Sequence, residues 1–174
     1  GTTGTGTTTS TTGSTTSNTT SGGGAGSIVI NEIDPDLDWI ELHNPGDAAF
    51  DLSGLTLADE ETPGTAKLAE AILFPAGTSL AAGAYLFVLA KQDAVVMPGE
   101  QAPQTMCDPG PSPCFYAPFG LSGSNGDGVY VLDGDTVVTS ASFGPAAVPA
   151  GSTWCRDDAG SYATCATPTP GTAN

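Results

Sequence analysis

Hydrophobic positions along this chain come in short bursts, each closed by turn-forming residues. The first burst, Ile28-Val29-Ile30-Asn31-Glu32-Ile33, carries apolar residues on both faces, as a buried strand does. Asp34-Pro35-Asp36 interrupts it. From Trp39 to Asn44 polarity alternates, with Ile40 and Leu42 on one face and Trp39, Glu41 and His43 on the other. Asn44-Pro45-Gly46-Asp47 reads as a turn.

The same grammar continues to the C-terminus. Phe50 to Leu57 predicts a strand with Gly54 at a bulge, and Asp59 to Gly64 an acidic loop. Lys67 to Phe74 fits a strand better than a helical turn. Phe74 to Gly83 predicts a turn, a short edge strand and a second turn. Ala84 to Ala90 is a strongly apolar strand, and residues 91–118 form a long Pro-rich excursion. Gly128 to Leu132 and Thr136 to Phe143 flank Asp133-Gly134-Asp135, the clearest hairpin signal in the chain. Short strands separated this regularly by turns predict an all-β, antiparallel sandwich.

Composition alters the picture at the N-terminus. Residues 1–21 are Thr, Ser and Gly apart from Asn18, and Gly22-Gly23-Gly24 follows. With nothing apolar to bury, residues 1–26 cannot offset their own ordering entropy and predict a tail or linker, with the folded domain at 27–174. Thr-rich composition suits an O-glycosylated stalk, and Asn18-Thr19-Thr20 matches the N-glycosylation sequon. A β-branched segment of this kind could also lie as an extended strand along a neighbour's sheet edge.

Charge narrows the partners. Three Lys and Arg against 19 Asp and Glu give a net charge of −16. Nucleic acid and anionic membranes are disfavoured, which leaves cations, neutral sugars and protein surfaces. No apolar run approaches the roughly 20 residues that span a bilayer, so membrane insertion is not expected. No signal peptide is visible and the chain does not begin with Met, as expected once a targeting segment is removed. The four cysteines, Cys107, Cys114, Cys155 and Cys165, allow three connectivities. Cys107–Cys114 and Cys155–Cys165 are favoured because each pair brackets a turn-rich loop, and zinc would require closer pairs. Disulfides point to an oxidising, extracellular or cell-surface location.

Candidate chemistry is sparse. His43 is the only histidine, and no G-x-S-x-G or comparable nucleophile motif accompanies it, so it reads as a surface or interface strand residue. Asp34, Asp36 and Asp38, followed by Glu41, are the candidate metal ligands, with calcium the candidate ion. No cofactor is required. The opposing reading is a solvated acidic turn with Glu32 or Glu41 hydrogen-bonded to backbone. Asp127, Asp133 and Asp135 are explained by turn chemistry. Trp39 and Trp154 could stack on sugars, although such aromatics more often fill a core or a sheet interface.

Several dispersed motifs run through the folded region: Asn31-Glu32, Asp38-Trp39-Ile40-Glu41-Leu42 with Asn44-Pro45-Gly46, and Asp51-Leu52-Ser53-Gly54. Phe74-Pro75-Ala76-Gly77-Thr78 with Leu80, Gly83-Ala84-Tyr85-Leu86 and Phe119-Gly120-Leu121-Ser122 follow. The strand from Gly126 to Leu132 and Thr167-Pro168-Thr169-Pro170-Gly171 with Asn174 complete the set. Together, over about residues 28–174, they resemble the lamin tail domain family in its bacterial extracellular branch. The resemblance implies an immunoglobulin-like sandwich and a non-enzymatic binding or structural module. The excursion at 91–118 and the tail depart from the family pattern. Together these features lead to an extracellular structural or adhesive protein, assembling as a homo-oligomer or fibre through its tail. The alternatives are a monomeric tethered module recognising carbohydrate or protein, and an accessory domain of a metal-dependent enzyme.

Overall fold

The computed structural model describes residues 1, 27–93, 95–102, 104–105 and 114–174. Asn18 and Cys107 therefore lie outside the described residues, as does most of the tail. The described chain is an all-β, immunoglobulin-like sandwich.

Inside the larger sheet lie the two strands of the acidic hairpin, β1 (Val29–Asp34) and β2 (Trp39–His43). The strands numbered in between complete the chain order: β3 (Phe50–Asp51), β4 (Thr56–Thr62), β5 (Thr65–Ala66), β6 (Ile72–Leu73) and β7 (Ser79–Leu80). After them come β8 (Tyr85–Leu89), β9 (Gln104–Thr105), β10 (Cys114–Tyr116) and β11 (Asp127–Asp133). The last three are β12 (Thr136–Phe143), β13 (Thr153–Arg156) and β14 (Tyr162–Cys165). One sheet has the order β14-β13-β1-β2-β8-β10-β9. The facing sheet runs β12-β11-β4-β5, with β6 beside β4, and β3 pairs with β7 separately. The named strands pair antiparallel except β8 and β10, which run parallel.

Alternation places the core where the pattern expects it. Ile40 and Leu42 of β2 turn inward with Ile30, Ile33, Leu86 and Val88, and meet Leu57, Val129 and Val131 of the facing sheet. Phe74 and Phe115 meet edge to face at 5.4 Å in the same core. The outward face of the larger sheet is also covered in part: Trp39 stacks on Phe87 at 4.8 Å, and Cys114 packs beside them. The β11–β12 turn consists of Gly134 and Asp135. Gly134 has φ +55°, which glycine adopts without a Cβ penalty.

Four local expectations differ. Asp59 to Glu61 belong to β4 rather than to an acidic loop, because β11 pairs with Asp59 through Val129 and β5 pairs with Glu60 and Thr62. Gly54 occupies a turn with φ +75°, not a bulge. Residues 67–74 divide into a 3₁₀ turn, Leu68–Glu70, and the two-residue strand β6. The Pro-rich excursion contributes β9 and β10, and β10 joins the larger sheet through Cys114-Phe115-Tyr116. The pairing proposed for Cys155 and Cys165 is present as a disulfide linking β13 to β14. Cys114 is disulfide-bonded as well.

Candidate functional site

The four candidate calcium ligands have separate partners. Asp34 is buried, and its Oδ1 accepts hydrogen bonds from the backbone N–H groups of Asp36 and Leu37, both at 2.9 Å. That is an Asx turn, the local bonding that short acidic side chains favour. Asp36 is exposed and its Oδ2 accepts from Gly151 N–H at 3.3 Å. Asp38 adopts φ +55° and points elsewhere: Oδ1 accepts from Leu121 N–H at 2.9 Å and Oδ2 from Lys91 Nζ at 2.7 Å. Glu41 lies on the outward face of β2, opposite Glu32 of β1. Among the described residues, no group of three or more His, Cys, Asp or Glu side chains is arranged to hold a metal ion.

The outward face instead builds a polar lock from residues far apart in sequence. A register shift between Ile30 and Glu32 brings Glu32 opposite Glu41, so the two buried carboxyls share one face. Glu32 accepts from the Thr153 hydroxyl, and from Thr169 N–H and its hydroxyl at 3.2 Å. Glu41 accepts from Asn31 Nδ2 at 2.8 Å and from Gly171 N–H. Asn174 Nδ2 donates to the carbonyls of Asn31 and Arg156, each at 3.0 Å, and its Oδ1 accepts from the Thr169 hydroxyl at 2.7 Å. Residues 167–174 thus form a strap across β1 and β2. Burial, ahead of the Glu32 charge and against the donors Gly171 and Asn31, pushes the Glu41 carboxyl up to about 7.

Asn44 performs a similar service at the other end of β2. Its Nδ2 donates to Ala48 and Leu80 carbonyls, both at 2.8 Å, while Oδ1 accepts from Ser27 and Gly46 N–H at 3.1 and 3.0 Å. This one amide uses both donors and both acceptor sites, and joins the entry of β1 to β7. His43 stacks on Tyr85 at 4.3 Å, and burial followed by the Arg156 charge lowers its pKa. Trp39 is buried against Phe87, and Trp154 packs on Phe143, so both aromatics serve packing.

A groove of about 520 Å³ opens at one end of the second sheet, lined by Glu60, Glu61, Asn125, Asp127, Ser142 and Pro145, among others. Two of its acids, Glu60 and Asp127, are engaged in holding the groove's shape. Glu60 Oε1 accepts from the Tyr130 hydroxyl at 2.6 Å and Gly64 N–H at 2.8 Å. Asp127 accepts from Ser122 and Gly128 N–H at 2.7 and 2.8 Å. Gly126, at φ +80°, lies so close to β12 that a Cβ would fall 2.6 Å from the Phe143 carbonyl oxygen. Nearby Asp59 is buried with its Oδ1 unpartnered. Burial pushes its carboxyl up to about 7, opposed by Lys67 and assisted by Asp127 and Glu70.

The sequence motifs named these polar residues but not their meeting. Thr169, Gly171 and Asn174 lie 130 or more residues from their partners in β1 and β2. No periodic pattern carries a contact of that kind; only the shared membership of Asn31, Glu32, Glu41 and the Thr-Pro-Gly segment in one motif set hinted at it. A search of the curated proteins found no match to this chain. The lamin tail domain family matches residues 22–145, from the end of the tail through β12. That covers well over half the chain, and the chain belongs to the lamin tail domain family.

Proposed function

We propose that this chain is a non-catalytic extracellular structural protein, in which the lamin-tail sandwich is the repeating body and the Thr-rich tail links one copy to the next. One observation carries the reading: the buried polar residues of the sandwich are engaged in holding the fold. Glu32, Glu41, Asn31 and Asn174 fasten the strap, Asn44 fastens the β2 exit, and Asp38 fastens Leu121 and Lys91. Catalysis needs a nucleophile or base left accessible beside a cleft, and these groups are already saturated with structural partners. The Cys155–Cys165 bridge supports an oxidising environment.

The tail supports the assembly half. All 19 acidic residues lie beyond residue 26, so the sandwich bodies repel one another while the tail carries no charge. An uncharged, β-branched segment is the part of this chain best able to approach a second copy. Light scattering on the intact chain and on residues 27–174 tests this. The intact chain should assemble and the truncated domain should remain monomeric. A truncated domain that assembles equally well overturns the role of the tail, and turnover in a hydrolase screen with Ca²⁺, Mg²⁺ and Zn²⁺ overturns the non-catalytic reading.

A further inference from the structure

We propose that the open edge of β12 is the acceptor for the tail, so that residues 139–143 of one copy receive the Thr-rich segment of a second copy as an added strand. The proposal rests on tail-linked assembly and supplies its receiving surface.

Strand β12 is the longest strand described, lies at the end of its sheet and pairs with β11 alone. The other sheet edges are short: β5 and β9 have two residues each and β14 has four. Among the described residues, no backbone hydrogen bond from another element reaches 136–143 on the side away from β11. A strand edge in this state presents alternating N–H and C=O groups to any extended segment that can lie beside it.

Sequence leaves this edge unguarded. Thr-Val-Val-Thr-Ser-Ala-Ser-Phe contains no lysine, no other charge and no proline, the residues that usually blunt an edge. One protective feature is present: the register against β11 shifts between Val131 and Leu132, opposite Val138. The shift confines the regular run to Thr139–Phe143, which pairs rung by rung with Val131 back to Asp127. Ala141 and Phe143 point into the core, and Ser140 and Ser142 are exposed. Beside the run, Val137 and Val138 are 49% and 39% exposed, a β-branched apolar shelf next to the free backbone.

Charge selects the occupant. A second sandwich body approaching β12 brings net negative charge against Asp133 and Asp135 at its turn, whereas residues 1–26 bring none. The hydroxyls of the tail match Thr139, Ser140 and Ser142, and cross-strand Thr–Thr and Thr–Ser pairs stabilise antiparallel sheets. Reach is ample. At ~3.3 Å per extended residue the tail can span roughly 85 Å, while five rungs need only about 17 Å. Each copy offers one tail and one acceptor edge, a head-to-tail contact that need not close and therefore builds open filaments.

The test uses full-length chains. Thr9→Cys and Ser140→Cys are made separately, mixed, and oxidised gently, with Ala163→Cys on the β14 edge as the control acceptor. A disulfide-linked dimer containing Thr9→Cys and Ser140→Cys, in clear excess over linkage to Ala163→Cys, is expected. Equal linkage to both edges overturns the assignment. A second full-length variant, Ser140→Lys with Ser142→Lys, places charges at two exposed positions, its folding checked by an unchanged melting profile; its assembly should drop to that of residues 27–174. If tail deletion abolishes assembly but the lysine variant assembles unimpaired, β12 is not the acceptor and tail-linked assembly stands. If the truncated domain assembles and the lysines block it, β12 pairs with β12 of a second copy and the tail is not the occupant.

Discussion

Glu41 shows how a single residue changes meaning between sequence and structure. In sequence it follows three alternating aspartates and completes a plausible oxygen set. In the fold Asp34 closes its own turn, Asp38 is drawn to Leu121 by a left-handed backbone, and Glu41 faces the strap. Calorimetry with Ca²⁺ is therefore expected to show no binding heat in the wild type or in Asp36→Asn; a heat abolished by that substitution would restore the turn as a metal site. The acids also set a pH dependence. Glu41 and Asp59 have ordinary values of 4.5 and 3.8 and are both pushed up to about 7 in the fold. The native state thus retains protons that the unfolded chain releases. The stability they add is complete below the unfolded values and is lost as pH rises through about 7. The melting temperature should fall between about pH 4 and pH 7, the window these two groups define. Asp59→Asn removes a buried charge with an unpartnered oxygen, so it should flatten that fall and stabilise the protein at pH 8 by about 1 kcal/mol. A steeper fall in the variant would contradict the assignment.

At the scale of elements, strands with a strict alternation were legible. Ile40 and Leu42 inward, Glu41 and His43 outward, and the tight turn at Gly134 between β11 and β12 all follow from period-two pattern and turn chemistry. Elements defined by their partners were not. Asp59, Glu60 and Glu61 look like a loop because charged residues crowd together, yet β4 continues through them because β11 pairs as far as Asp59 and β5 pairs with Glu60 and Thr62. Strand β10 has three residues amid prolines, too few for a pattern, and it exists because β8 lies beside it. The strap has no periodicity at all; Glu32 and Glu41 hold it from across the fold. Deleting residues 167–174 should therefore cost about 2–4 kcal/mol in urea unfolding, because several buried donors and acceptors lose partners worth ~1 kcal/mol each. An unchanged midpoint would mean the strap is decoration. Reducing Cys155–Cys165 should cost less than the ~3 kcal/mol assigned to a 15-residue loop, since its ends lie only 10 residues apart.

At the scale of the whole molecule, the charge ledger and the tail act together. A body with net charge −16 stays apart from its copies at low salt, and screening shortens that repulsion to about 10 Å at 0.1 M. The proposed tail-to-edge pairing would use uncharged backbone and hydroxyl groups, which salt does not screen. Assembly should therefore strengthen with added NaCl, the reverse of an assembly built on salt bridges. Fold class was readable in the sequence because short apolar bursts closed by turn residues run from Ile28 onward. The open edge of β12 was not, because an unpaired strand and a paired one share the same alternation. Sedimentation velocity on the intact chain, across protein concentration and from low to moderate NaCl, tests the central claim most directly. The account predicts species heavier than the 17.2 kDa monomer that grow with both variables. A single monomeric boundary at every concentration and salt level would contradict it.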